Sequence, residues 1–265
     1  MTPAPTRDAL RTHLVDTRIA GKVATPRENN LRNFRLMSRR ERAFLFGTQP
    51  DGRWSFEDVL ALMAERCGVS PDPTFTEGVD TIDPDRTLDR LDALADRVRA
   101  AAAQRQRVML ATGHPSGLLP VHLATARLLE AAGCTLLTPA AGWRYEVPVR
   151  HGPTYREIRY ISGVATLHAG GELKHTHSGQ PMQAMLAALA EAGEPPPDLV
   201  VGDHGWAGAA GQAGVDAVGY ADCNDPALFV AEAEGKVAVA VPLDDNVEPH
   251  LYDPLVAYLV ARATP

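Results

Sequence analysis

The sequence predicts an α/β protein with a Rossmann-like, mostly parallel sheet flanked by helices and an N-terminal helical cap. Three observations lead there. From residue 107 onward, short apolar runs alternate with stretches of helical spacing. Four of those runs end in polar clusters, three of which carry a carboxylate. The first hundred residues, by contrast, read as helices and loops.

Taken in order, Leu10, Leu14 and Ile19 open a helical pattern that Gly21 can end. Residues 25–46 are polar and Arg-rich, and read as a segment that folds over the sheet edge. A helix over 56–66 places Val59, Leu60 and Met63 on one face. Asp83-Pro84 is a helix start, with Asp at the cap and Pro in the first turn, and Leu88, Leu91, Leu94, Ala95 and Val98 follow. Residues 1–105 are thus expected as the helical cap region, and 106–265 as the Rossmann-like domain.

In the second part, strands are expected near 108–111, 134–137, 199–202, 215–220 and 236–241. Helices fill the intervals up to residue 132 and over 180–192, 205–213, 226–234 and 252–262. Such alternation implies parallel strands joined by crossovers. Residues 142–178 are less regular: 156–167 alternates as strands do, and Gly170-Gly171 is a hairpin turn signal.

The chain has 265 residues and a net charge of −7. This acidic balance argues against nucleic acid as a partner, because a phosphate backbone needs a basic footprint. Cys67, Cys134 and Cys223 fit neither a CxxC metal motif nor a disulfide framework. With no signal sequence and no long apolar run, the expectation is a cytoplasmic protein without a membrane partner. A homo-oligomer is left open.

Ligands of open parallel sheets bind beyond the carboxyl ends of the strands. There the sequence places Thr112-Gly113-His114-Pro115-Ser116-Gly117, Asp203-His204-Gly205-Trp206, the group Asp222, Asn224 and Asp225, and the group Asp244, Asp245 and Asn246. The first loop runs into a helix, so Thr112, Gly113, Ser116 and Gly117 are candidates to hold a phosphate; the plain alternative is a capped strand-to-helix turn. Asp203, Asp222, Asn224 and Asp225 are candidate ligands for a divalent metal, expected as Mg²⁺ because that ion prefers oxygen donors. Taken singly, Asp225 reads as the cap of the helix at 226. His114 and His204, with Asp203, are the candidate catalytic groups. His175 and His177 share one face at strand spacing, and His177 with Ser178 could form a second phosphate loop. Arg27 and Asn30 are candidate substrate contacts, or else residues of an exposed loop. Trp206 reads as a core residue.

The strings Thr25-Pro26-Arg27-Glu28-Asn29-Asn30, Ala111-Thr112-Gly113-His114-Pro115, His175-Thr176-His177-Ser178-Gly179, Gly202-Asp203-His204-Gly205-Trp206-Ala207-Gly208 and Tyr220-Ala221-Asp222-Cys223-Asn224-Asp225-Pro226 resemble an actinobacterial family commonly labelled phosphatase. The resemblance covers nearly the whole chain and implies phosphoester hydrolysis. The helical cap over a parallel sheet is also similar in architecture to metal-dependent damage-control phosphatases, which use an Asp/Asn metal site. The expected function is metal-dependent hydrolysis of a small phosphomonoester, either a sugar phosphate or a nucleotide. Two rivals stand beside it. One is a phosphosugar-binding or isomerase-type domain without hydrolysis. The other is a haloacid-dehalogenase-type phosphatase, whose Asp-x-Asp-x-Thr string is matched by Asp83-Pro84-Asp85-Arg86-Thr87 with Asp83 as nucleophile.

Overall fold

The computed structural model describes residues 4–149 and 152–265. The sheet is built outward from β3 (Arg107–Ala111), β9 (Leu199–Asp203), β10 (Ala217–Ala221) and β11 (Val239–Pro242), with β7 (Val164–Ala169) on the other side of β3. These five strands run parallel in the order β11-β10-β9-β3-β7. The two-residue strand β4 (Thr135–Leu136) pairs with the start of β3, and β7 takes over at its end. Beyond β7 the sheet turns antiparallel through β6 (Gly152–Ile161) and β5 (Arg144–Val149), while β8 (Glu172–Lys174) returns along β7. Ser162-Gly163 and Gly170-Gly171 make the hairpin turns, all four residues at positive φ as two-residue hairpin loops require.

The central strands are buried on both faces because, apart from Arg107 at the start of β3 and Asp203 at the end of β9, they are apolar at successive and not alternate positions. Val108 and Leu110 face one side with Val201, Val218 and Val241. Met109 and Ala111 face the other with Val200 and Ala217. The first face is covered by α4 (Pro84–Ala103), α5 (Leu119–Ala131) and α9 (Asp253–Ala263), and the second by α6 (Gln180–Glu191) and α7 (His204–Gln212). Residues 204–211 of α7 are all buried. Its glycines allow close approach: a Cβ on Gly208 would lie 2.5 Å from the Phe46 carbonyl oxygen, and one on Gly211 2.4 Å from that of Lys236.

The N-terminal region departs from an all-helical reading. After α1 (Arg7–Asp16), Gly21 opens strand β1 (Gly21–Pro26), which pairs antiparallel with β2 (Val79–Ile82) across an irregular register. The polar, Arg-rich stretch contains α2 (Arg27–Ser38), which buries Leu31, Phe34 and Met37 along one stripe. It packs on α3 (Phe56–Cys67), which reaches α8 (Pro226–Ala233) in turn. A single apolar core runs from Leu10 through Leu94 to Val108 and Ala263, so it crosses the expected boundary at 105/106. No helix among the described residues is long and apolar enough to cross a membrane.

Glu234 gathers the donors of the segment after α2. Glu234 accepts hydrogen bonds from Asp51 N, Gly52 N, Trp54 Nε1 and Lys236 Nζ, at 2.8–3.1 Å. Against its partial burial, these donors lower its pKa to about 2. A carboxylate depressed from about 4.3 stabilises the fold above that value, and the contribution disappears as the pH falls towards 2. Glu234→Gln is expected to cost about 1–2 kcal/mol at pH 7, and urea midpoints of the two proteins should converge as the pH is lowered from 5 to about 2.

Candidate metal-binding and catalytic site

The strand ends deliver their polar residues to one place. Asp203 closes β9, and His204 turns the chain into α7 with φ +43°, a left-handed conformation rare outside glycine. That turn drives the imidazole inward, where it is fully buried. His204 Nε2 lies 2.7 Å from Asp225 Oδ2 and 3.0 Å from Asp245 Oδ2, and its Nδ1 lies 3.2 Å from His114 Nδ1. The His177 ring stacks on His204 at 4.5 Å and 12°, and His175 meets His114 at 4.0 Å. Ligand atoms of His114, His177 and His204 lie within 4.8 Å of one another, and so do those of His204, Asp225 and Asp245.

Asp203 holds this arrangement from behind. Its carboxylate accepts from Thr112 Oγ1 and Gly113 N, both at 2.5 Å, and lies 3.4 Å from His122 Nε2 and 3.3 Å from His204 Nδ1. Burial opposes its charge, yet the nearby imidazoles of His122 and His204 keep its pKa well below the usual carboxylate range. Burial lowers His177 to about 4 and His114 further still, which leaves both imidazoles neutral with a free electron pair. Against its own burial, His204 is held well above the ordinary value by Asp225 and Asp245. Burial lifts Asp245 to about 6.

Several expectations change here. Thr112 and Gly113 have given their donors to Asp203, and the N–H groups of Gly117 and Leu118 go to the His114 carbonyl. A Cβ on Gly117 would meet the Asp245 carbonyl oxygen at 2.3 Å, and Ser116 is exposed. With these donors engaged, the loop serves as a scaffold for Asp203 and His114. Ser178 Oγ accepts from Gln180 N at the start of α6, which is the work of a helix-capping turn.

Arg27 and Asn30 are not at the centre. The Arg27 guanidinium is fully buried and donates to Asp80 and to the carbonyls of Ser70, Asp72 and Phe75, so it is not available to clamp a phosphate. Asn30 donates to the same Asp80.

The expected metal set divides. Asp225 belongs to the cluster, its side chain making no cap bond. Asp222 instead accepts from Thr25 Oγ1 and Cys223 N, and burial beside Asp245 and Asp244 raises its pKa well above normal. Asn224 offers its carbonyl to Asn33. Asp83 caps α4, accepting from Asp85 N, and stands after the peripheral strand β2, so the haloacid-dehalogenase reading loses its nucleophile. Trp206 is buried in the core, as expected.

Two contributors had no sequence signal. His122 sits among apolar residues of α5, and Phe46 packs its ring 4.6 Å from His177 and 5.6 Å from His204. Phe46 itself has φ +50°. Its segment is wedged against α6 and α7, where a Cβ on Gly179 would lie 2.7 Å from Gly47 Cα. Beside it opens a cleft of about 900 Å³, lined by residues 42–49, Arg156, residues 175–180 and Gln183. His175 and His177 lie in its wall, so the cleft leads to the buried centre.

Imidazoles and carboxylates gathered at the carboxyl edge of a parallel sheet, next to an open cleft, are the build of an α/β enzyme. The chain belongs to the Phosphatase family, whose model matches residues 5–265. A protein of Streptomyces coelicolor named as a phosphatase is 54% identical over 263 residues, covering 98% of this chain and 97% of its own length. The actinobacterial resemblance and the expected phosphatase enzyme are both met.

Proposed function

We propose that the chain is a metal-dependent phosphomonoesterase of small phosphorylated metabolites, with its metal held by His114, His177, His204, Asp225 and Asp245. The observation that carries this reading is the meeting of two donor triads at His204, one with His114 and His177 and the other with Asp225 and Asp245, delivered by five separate loops. Three imidazoles beside two carboxylates favour a borderline cation such as Zn²⁺ or Fe²⁺ over the Mg²⁺ expected from carboxylates alone. Such an ion supplies Lewis-acid polarisation of a phosphoryl oxygen and an ionised water.

The protein's own residues divide the remaining work. Asp203 fixes the ring of His204 and the loop that carries His114. Phe46 closes one side of the His177–His204 stack and keeps water from it. His175, exposed in the cleft wall and 4.0 Å from His114, marks where the ester reaches the centre. The strongly depressed His114 suits ligation better than the proton transfer expected of it, whereas His204, held well above the ordinary value by Asp225 and Asp245, would have to release its proton on taking a metal. A binding module would need open anion loops but not the carboxylates, and the carboxylates gathered at this centre support the enzyme reading. Three free, buried cysteines support a reducing, cytoplasmic setting.

The test is metal analysis of the purified protein, combined with phosphate release from p-nitrophenyl phosphate, sugar phosphates and nucleotides. Bound transition metal, loss of turnover on chelation and its return on adding Zn²⁺ or Fe²⁺ are expected. Full turnover by a protein shown to contain no metal would overturn the assignment.

A further inference from the structure

The cleft beside the histidines is far larger than a phosphoryl group needs. Its volume of about 900 Å³ is near the top of the roughly 300–1,000 Å³ range of small-molecule sites. Its lining runs against the composition of the chain. The protein carries 33 acidic and 26 basic residues, yet among the described residues the cleft wall includes Arg42 and Arg156 and no Asp or Glu. The two arginines come from different segments: Arg42 from the short helical turn Arg42–Phe44, and Arg156 from β6. One Arg156 nitrogen, Nη1, donates to the His175 carbonyl at 2.9 Å, which holds the guanidinium at the edge of the histidine wall. The remaining polar wall is neutral, with Gln49, Gln180, Gln183 and Ser178.

Resting on the phosphatase reading above, we infer that this cleft selects phosphoesters that carry a second anionic group on a hydroxylated body. The scissile phosphate meets the centre past His175 and His177, and Arg42 and Arg156 hold the second anion, which is a carboxylate or another phosphate. Guanidinium groups suit this task because their planar forks match both oxyanions. The amides of Gln49, Gln180 and Gln183 supply donors and acceptors to hydroxyls. A phosphoester of the same size with an uncharged body leaves the two arginines without a second anion and binds less tightly.

The experiment compares kcat/KM of the full-length protein for 3-phosphoglycerate, fructose 1,6-bisphosphate and p-nitrophenyl phosphate, in wild type, Arg42→Gln and Arg156→Gln. For each variant, the ratio of a second-anion ester to p-nitrophenyl phosphate is expected to fall by about ten-fold or more, chiefly through KM. The ester that shows the larger fall tells a carboxylate from a phosphate. Arg42 is exposed, so its variant keeps the fold, which thermal unfolding checks. Ratios unchanged in both variants would overturn the inference.

Calorimetric titration with pyrophosphate separates this inference from the reading beneath it. If no ester is hydrolysed but pyrophosphate binding weakens in both variants, the hydrolytic reading fails and the anion site stands. If esters are hydrolysed while both variants bind pyrophosphate as wild type does, the anion site fails alone.

Discussion

Asp225→Asn is expected to lower phosphatase turnover by about 100-fold or more, with bound metal falling in parallel. The carboxylate is 2% exposed and lies 2.7 Å from His204 Nε2, inside the cluster that also holds Asp245. Asparagine keeps the shape and removes the charge. Losing a residue that only supports a ligand typically costs 10–100-fold, so losing a ligand should reach or exceed the top of that range. The fold should survive, because Asp225 makes no helix-cap bond that the change would break. Asp83→Asn is the matching control. Asparagine caps helices as well as aspartate does, and Asp83 serves α4 on the periphery. Its activity should stay within about two-fold of wild type. Activity lost with Asp83→Asn and kept with Asp225→Asn would reverse the assignment of the centre.

The second large effect concerns stability. Asp80 is 2% exposed and accepts from Arg27 Nη1 at 2.5 Å, Asn30 Nδ2 at 2.9 Å, Ser70 N at 3.0 Å and Thr81 N at 2.9 Å. Asp80→Ala leaves the Arg27 guanidinium buried without its counter-charge. Breaking one side of such a pair costs about 3–5 kcal/mol, a large share of the roughly 5–15 kcal/mol that holds a domain folded. The urea midpoint should fall accordingly, while turnover per folded molecule changes little. Replacing both partners with apolar residues of similar volume, Arg27→Met with Asp80→Leu, should restore much of the loss. A KM change out of proportion to the stability change would return Arg27 to the substrate side.

How much of this was legible in the sequence depends on how local each cause is. The strands around 108–111, 199–202 and 217–220 announced themselves because strands buried on both faces are apolar at successive positions. Asp83-Pro84 marked the start of α4 because capping is decided within a few residues. The β1–β2 ribbon was not legible, since β2 has four residues and two of them are polar. The stripe Leu31, Phe34 and Met37 of α2 was present but masked by arginine and asparagine between its members.

The site divides along the same line. The sequence by itself determined that carboxylates and histidines follow the strands, since in a parallel sheet every carboxyl end lies on one edge. It also determined the family, whose motifs span the chain. Only the tertiary structure decided which of those residues meet. Asp203 and Asp225 are both aspartates at strand ends. One is surrounded by hydroxyl, amide and imidazole groups, as the supporting role proposed for it requires, while the other faces His204, as the proposed ligand role requires. The physical reason is that a side chain's role is set by donors that arrive from elsewhere in the chain. Here these are Thr112 and Gly113 from 90 residues upstream and His204 turned inward by its left-handed backbone, and no local pattern in the sequence encodes their arrival.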